Sequence, residues 1–162
     1  MNVYFVEPLK GINPILFGMT REESRSAVGT TPFTFRKNAF ASTTDTDAYF
    51  DHCFQVFFDK EYQVDFIELS TNDSFKVVYK GIDIFNTEAA RLIESISKDA
   101  DYEKRDPELG YSYIFPELEL SLWRPVVPEN QNDLEGRYFS TVGIGRRGFS
   151  ASLTDTWLSK LE

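Results

Sequence analysis

The sequence is poor in the residues that most often carry catalysis and metal binding. It contains one cysteine, Cys53, and one histidine, His52, among its 162 residues. A single cysteine excludes an internal disulfide. Neighbouring residues on a strand point to opposite faces, so His52 and Cys53 do not readily form a base–nucleophile pair. Phosphate-loop, zinc-cluster and hydrolase-elbow motifs are also missing. We therefore expect no catalytic residue, no metal, no cofactor and no enzymatic activity.

Positive charge is scarce as well. The chain has 17 Lys and Arg against 26 Asp and Glu, which gives a formal net charge of −9 and a pI of about 4.7. Binding to nucleic acid needs a basic face that neutralises phosphates, so the charge argues against that function. An acidic chain is instead suited to a basic partner through steered association, although the same charge would also serve solubility alone.

Long apolar segments are the third absence. No run of about 18 apolar residues occurs, so we expect no membrane span and no membrane partner. The first residues, MNVYFVEPLKGINP, lack a basic segment followed by a long apolar one, and we therefore expect no signal peptide. The expected location is the cytoplasm, and the expected state is a monomer.

What the chain does contain fits one globular domain, residues 1–162. Hydrophobic residues make up 41% and aromatic residues 15% of the sequence, enough for a single substantial core. Hairpins dominate the pattern and βαβ units are few, so we predict an α+β fold, mainly an antiparallel sheet with two or three short helices packed on it. The predicted strands are residues 2–6, 53–58, 62–69, 74–79, 111–115, 117–123 and 137–145. The predicted helices are residues 20–29, with a Thr20–Glu23 capping box and a Gly29 stop, residues 87–98, capped by Asn86, and residues 151–161.

The segment FPELELSLWRP has the most regular alternation in the chain. Strict period-two spacing over residues 117–123 predicts a half-buried strand. One face would carry Leu118, Leu120 and Leu122, and the other Glu117, Glu119 and Trp123. The leucine face predicts core. The second face predicts either a docking surface, where carboxylates meet a basic partner, or a surface covered by a helix.

Two glycine-rich or acidic motifs suggest ligands but depart from the known patterns. GIGRRG, with Gly143, Gly145 and Gly148, matches a dinucleotide-binding spacing, yet only 14 residues follow it, too few for the rest of that unit. We predict a glycine-rich β-turn there. DTDAYFD has Tyr49 and Phe50 where a calcium loop needs a ligand and a glycine. We predict an acidic loop at residues 45–51.

One longer stretch resembles a known class of proteins. GINPILFGMTREESRSAVG contains an I-x-F-G-M-T-x-E phrase, Ile15 to Glu22, that leads into a short helix ending near glycine. With the later segments FQVFFDKEYQVDFIEL and VVYKGIDIF, it is similar to small bacterial proteins from toxin–immunity loci, over roughly residues 11–85. The resemblance implies a cytoplasmic immunity protein, of the kind paired with contact-dependent inhibition or other polymorphic toxins. It transfers no functional residue.

The resemblance and the charge together suggest how such a protein would act. A nuclease toxin needs a basic active site, which carboxylates and aromatic residues could cover. Three candidate surfaces would do so: Asp45, Asp47 and Asp51; Asp99, Asp101 and Glu103; and Glu117, Glu119 and Trp123. Two alternatives remain open. One is a small carboxylate-dependent enzyme that uses Glu117 and Glu119, and the other is a ligand-binding or scaffold domain without a toxin partner.

Overall fold

Two β-sheets stacked face to face form the body of the protein. The computed structural model describes residues 1–36 and 44–151, and these residues form twelve strands and two α-helices. The strands are β1 (Asn2–Glu7), β2 (Gly11–Asn13), β3 (Ile15–Leu16), β4 (Phe33–Phe35), β5 (Thr46–Tyr49), β6 (Phe54–Phe58), β7 (Val64–Ser70), β8 (Phe75–Tyr79), β9 (Ile82–Asp83), β10 (Ser112–Phe115), β11 (Leu120–Trp123) and β12 (Thr141–Gly145). The helices are α1 (Arg21–Val28) and α2 (Ala89–Ser97), and a 3-10 helix covers Pro116–Leu118. The predicted helix at residues 151–161 lies outside the described residues apart from its first position.

The smaller sheet is mixed, with strand order β3-β2-β1-β8-β9. β1 and β8 are parallel, and the other neighbours are antiparallel. β8 follows the β6–β7 hairpin in sequence, yet it lies beside the first strand of the chain. Alternation along β1 buries Tyr4 and Val6 and leaves Val3 and Phe5 on the outer side, as expected for a sheet with one wet face.

The larger sheet is antiparallel throughout, with strand order β10-β11-β12-β7-β6-β5-β4. Its centre is the predicted hairpin, β6–β7. Phe57 lies opposite Phe66 and Phe58 lies opposite Val64, so Asp65 is the extra residue of a β-bulge.

The hydrophobic core lies between the two sheets. The ring of Tyr4, on β1, meets that of Phe54, on β6, with centroids 4.7 Å apart. One continuous cluster of buried side chains joins both sheets and the apolar stripe of α2. The predicted α+β class and single domain are confirmed. The structure differs from the predicted arrangement in one respect. We predicted one sheet covered by helices, but a second sheet provides most of the covering layer.

The two described helices differ in how well local sequence predicts their start. In α1, the Thr20 hydroxyl accepts a hydrogen bond from the Glu23 amide (3.1 Å), and the Glu23 carboxylate accepts one from the Thr20 amide (3.2 Å). Gly29 ends α1 with φ 85°, so the predicted cap and stop are confirmed. The prediction that Asn86 caps α2 is wrong. Asn86 instead donates to Asp83 (3.0 Å), and the helix begins at Ala89.

The predicted strand over residues 117–123 is shorter than its alternation indicates. Pro116 begins the 3-10 helix, and Glu119 closes it with φ 49°. The strand starts only at Leu120, and Leu120 and Leu122 are fully buried. Leu118 packs against the core from the 3-10 helix and is partly buried. The leucine face is therefore correct as core, but only two of its three residues lie on a strand.

Two glycines of the GIGRRG motif lie inside β12, under aromatic rings. A Cβ atom on Gly143 would come 2.7 Å from the Phe66 ring, and one on Gly145 would come 2.7 Å from Phe149 Cβ. The Phe66 and Phe149 rings themselves stack, with centroids 4.7 Å apart. The prediction of a glycine-rich turn is thus wrong for these two positions, where close packing requires glycine. It is correct for Gly148, which turns the chain with φ 83°.

The bulge residue Asp65 is a buried carboxyl group. It is 8% exposed, and burial raises its pKa to about 7, with Arg146 opposing the shift. A buried carboxyl with a raised pKa holds its proton more tightly in the folded chain than in the unfolded chain. The stabilisation that Asp65 gives the folded protein is therefore fully present at pH values below the ordinary Asp pKa of 3.8. It is lost as the pH rises through about 7.

We expect Asp65→Asn to stabilise the protein in alkaline but not in acidic solution. At pH 8 the parent protein must bury a charged carboxylate at this position, whereas the variant buries a neutral amide. The free energy of unfolding of the variant, relative to that of the parent, should therefore be about 2 kcal/mol higher at pH 8 than at pH 5. Urea unfolding of both proteins at pH 5 and pH 8 measures this. Asp73→Asn, at an exposed position, is the control. Equal differences at the two pH values would contradict the assignment.

Candidate protein-binding surface

The nine predicted contact residues do not form one surface, and one of them is buried. Thr46–Tyr49 is a strand, so the predicted acidic loop at residues 45–51 is wrong. Asp47 lies on the inner side of this strand with 0% of its side chain exposed. Asp45 is partly exposed and pairs with Arg36 (3.4 Å). Asp51 is exposed, in the turn between β5 and β6. Asp47 is therefore not available to a partner.

The Asp47 carboxylate instead joins α1 to the larger sheet. Arg25 donates to it through Nε (2.8 Å) and Nη2 (2.9 Å). Arg21 donates through Nη2 (3.1 Å), and Thr34 on β4 through its hydroxyl (3.2 Å). Burial by itself would raise the pKa of Asp47, but the hydrogen bonds from Arg25 and Arg21 outweigh it and hold the pKa below its ordinary value. This cluster is structural.

Asp99 is also committed within the protein. Its carboxylate accepts a hydrogen bond from the Tyr79 hydroxyl (2.5 Å) and pairs with Lys80 (3.0 Å). The Tyr79 hydrogen bond, followed by that from Lys80, lowers the pKa of Asp99, while burial and the same carboxylate raise that of Tyr79. Asp99 thus fixes the end of α2 to β8. Its side chain is only partly exposed to solvent.

The predicted Glu117, Glu119 and Trp123 face is wrong as a strand face. Glu117 is exposed on the 3-10 helix. Glu119, in the left-handed conformation, accepts hydrogen bonds from the Ser150 hydroxyl (2.5 Å) and amide (3.3 Å). Trp123 is at the far end of β11. The two carboxylates therefore do not flank the tryptophan. Glu117 and Glu119, the pair considered for a carboxylate-dependent enzyme, do not share a strand.

Trp123 belongs to a different, exposed face of the larger sheet. It lies opposite Ser112 on β10 and Thr141 on β12, and its side chain points away from the core side occupied by Leu122. Trp123 is 44% exposed, and Ile114, on the neighbouring strand, is 38% exposed. We call this surface the Trp123 face; it consists of Ser70, Ser112, Ile114, Ser121, Trp123 and Thr141. Its small hydroxyl residues make the face flat around one large aromatic ring.

Two of the predicted carboxylates border the Trp123 face. The Glu103 amide donates to the Ile114 carbonyl (2.8 Å), so the segment after α2 runs alongside edge strand β10. Asp101 and Glu103 are both exposed on this segment. The Tyr102 ring between them meets the Tyr113 ring with centroids 5.1 Å apart and so anchors the segment. Glu103 therefore lies beside the Ile114 edge of the Trp123 face, and Asp101 precedes it by two residues on the same segment, a neighbourhood that the sequence did not predict.

A polar groove beside α2 was missed in the sequence. It has a volume of about 500 Å³, and its lining includes Gly81, Asp83, Asn86, Glu88, Arg91 and Tyr138. We call it the Asp83 groove. Asp83 Oδ1 is buried, and within the described parts of the chain nothing donates a hydrogen bond to it. No sequence motif marks this groove, because its walls come from β9, α2 and the segment before β12.

Arg124 is a second residue that sequence reasoning missed, and its role is structural. It is 8% exposed. Its guanidinium donates to the carbonyls of Gly110 (2.8 Å) and Gly136 (2.9 Å) and lies 5.4 Å from the centre of the Phe139 ring. Arg124 therefore holds two loops against the end of β11, next to Trp123, and helps to fix the position of that face.

Comparison with protein-family models, curated proteins and solved structures found no match to this chain. Across residues 1–36 and 44–151, no group of three or more His, Cys, Asp or Glu side chains is arranged to hold a metal ion. No helix in the same ranges is long and apolar enough to cross a membrane.

Proposed function

We propose that this protein is an immunity protein, which binds a cognate toxin domain and neutralises it. The observation that carries the proposal is the exposure of Trp123, 44%, beside Ile114 on the outer face of an antiparallel sheet. Large aromatic residues on rigid strands are typical anchors of protein interfaces, because they bury much area at little cost in conformational entropy.

Charge supports a basic partner. The chain carries a formal net charge of −9, and Asp101 and Glu103 stand exposed at the border of the Trp123 face. Carboxylates at the rim of an interface accelerate association with a basic protein, while the aromatic centre supplies affinity. A toxin that cleaves nucleic acid has the basic surface that this arrangement would cover, so a nuclease domain is the partner class we propose, with the cytoplasm as the location.

Co-expression with the toxin domain encoded by the neighbouring gene tests the proposal. The protein should protect cells and bind that domain with 1:1 stoichiometry, and the association rate should fall as salt rises. Toxicity that persists despite equal expression of both chains would overturn it. A stable homodimer formed through the Trp123 face, detected by sedimentation, would instead favour a scaffold domain.

A further inference from the structure

We propose that an apolar tip at the end of β11 is a second contact region for the toxin domain, and that it binds an apolar side chain flanked by lysine or arginine. The tip consists of Leu109, Tyr111 and Leu134, and we call it the Leu134 tip. That the partner is a toxin rests on the proposed function. The position and the chemistry of the tip are argued from its own residues.

Arg124 brings the loops of the Leu134 tip together. Its Nε donates to the Gly110 carbonyl (2.8 Å) and its Nη1 to the Gly136 carbonyl (2.9 Å). Because both nitrogens belong to one planar guanidinium, the two glycines are neighbours in space although they are far apart in the sequence. The side chains of the tip come from residues close to these glycines: Leu109, Tyr111 and Leu134.

Tight backbone packing holds the same loops in place. A Cβ atom on Gly136 would overlap the Val126 carbonyl oxygen, and one on Gly110 would come 3.3 Å from Val127 Cγ2. With Arg124 buried between them, the loops have their arrangement in the free protein. A preformed surface loses less conformational entropy when a partner binds.

The tip exposes three large apolar side chains in one place. Leu134 is 74% exposed, Tyr111 47% and Leu109 38%. A single exposed leucine is ordinary, but a group of exposed apolar residues bordered by polar ones marks an interaction surface. Tyrosine is also among the residue types enriched in interfaces. Arg124 directly follows Trp123, so the tip extends the proposed interface from the Trp123 face.

Carboxylates at the border of the tip determine the kind of partner. Glu108 and Glu135 are each next to a leucine of the tip and are exposed. Among the residues that the structure describes, neither carboxylate pairs with a cation or accepts a hydrogen bond. The segments that meet at the tip, residues 99–110 and 126–138, carry eight acidic against three basic residues, over half of the net charge of −9. This charge attracts a basic surface and repels a second copy of the chain.

Three hexapeptides test the chemistry of the tip without the toxin. The probe is acetyl-Arg-Lys-Leu-Leu-Lys-Arg amide. One control peptide has serine in place of both leucines, and the other has glutamate in place of the four cations. Titration of the labelled protein, followed by amide NMR shifts, should show roughly millimolar binding of the probe, centred on residues 109–111 and 134–136. The serine peptide should bind about fivefold more weakly, and the glutamate peptide should not bind measurably.

Leu134→Ser is the variant that tests the apolar contact. It should weaken binding of the hexapeptide probe about fivefold and binding of the toxin domain about tenfold. Phe33→Ser is the matched control, because Phe33 is 62% exposed but lies on β4, at the opposite edge of the larger sheet. Binding of the probe and of the toxin domain should each change less than about twofold in this control.

Each result decides the tip separately from the proposed function. Equal binding of the leucine and serine peptides, no measurable probe binding, or shifts centred elsewhere would overturn the tip even if the protein protects cells. A toxin complex that is unchanged by Leu134→Ser would overturn it too. Localised binding that needs both leucine and positive charge supports the tip even if co-expression fails to protect. Amide spectra check folding, and Tyr111→Ala provides the decision if Leu134→Ser loses native dispersion.

Discussion

Asp47→Asn should destabilise the protein by about 3 kcal/mol, the largest loss we expect from an isosteric substitution. The change leaves two arginines, Arg21 and Arg25, facing an amide where a fully buried carboxylate had accepted their hydrogen bonds. Removing one member of a buried ion pair typically costs 3–5 kcal/mol. We take about 3 kcal/mol, because both arginine side chains are partly exposed, at 24% and 37%, and can regain water.

The same cluster makes the free energy of unfolding depend on pH in acidic solution. The pKa of Asp47 is lower in the folded chain than its ordinary value of 3.8. Its contribution is therefore fully present above about pH 4 and is lost as pH falls through the folded pKa. Urea unfolding at pH 7 and at a series of pH values below about 4 measures both effects. In Asp47→Asn, the part of the acid dependence that comes from this group should disappear.

Asp45→Asn is the matched control for Asp47. It lies two residues away and changes the same atoms, but its pair with Arg36 is exposed on both sides. Exposed pairs contribute about 0.2–1 kcal/mol, so the control should stay within that range. A loss of less than about 1 kcal/mol for Asp47→Asn, or equal losses in the two variants, would mean that the arginine cluster does not hold α1 to the sheet.

Trp123→Ala should weaken binding of the cognate toxin domain by about thirtyfold, roughly 2 kcal/mol, the lower limit for an interface hot spot. Folding stability should change little, since 44% of the residue is already exposed. Titration calorimetry with the toxin domain and urea unfolding of the free protein measure the two quantities. Lost stability with unchanged affinity would place Trp123 in the structural framework instead.

Phe5→Ala is the control for Trp123. Phe5 is 49% exposed, but it lies on the outer side of β1, in the smaller sheet. The substitution removes an aromatic ring of similar exposure from a surface that the proposal does not use. Its effect on toxin affinity should be below about twofold. Similar losses for Phe5 and Trp123 would show that the effect is not specific to the Trp123 face.

Local signals in the sequence were reliable where the structure is also local. Thr20, Glu23 and Gly29 determine the ends of α1 through contacts within the same few residues, so their pattern could be interpreted directly. The β6–β7 hairpin was predictable for the same reason, because its two strands are adjacent in sequence. The bulge at Asp65 even disturbed the alternation near the position where it occurs.

Features that depend on distant residues could not be predicted. The burial of Asp47 follows from arginines 22 and 26 positions earlier, and an isolated acidic stretch gives no sign of them. The alternation at residues 117–123 gave a wrong strand prediction, because the spacing of the leucines carries no information about the left-handed turn at Glu119. Placement of β8 against β1 requires pairing over about 70 residues. The Asp83 groove likewise needs three separate segments to be brought together.

The short outer strands of the smaller sheet bear on how copies of this protein behave at high concentration. Its two edge strands, β3 and β9, have two residues each, while the longer β1 and β8 lie inside the sheet. An unpaired edge strand can pair with a strand from another molecule, and natural proteins prevent this in part by keeping edge strands short. Two residues offer too few backbone groups to seed strand addition. The smaller sheet is thereby protected against growth into a fibril, even though its outer side exposes Val3 and Phe5.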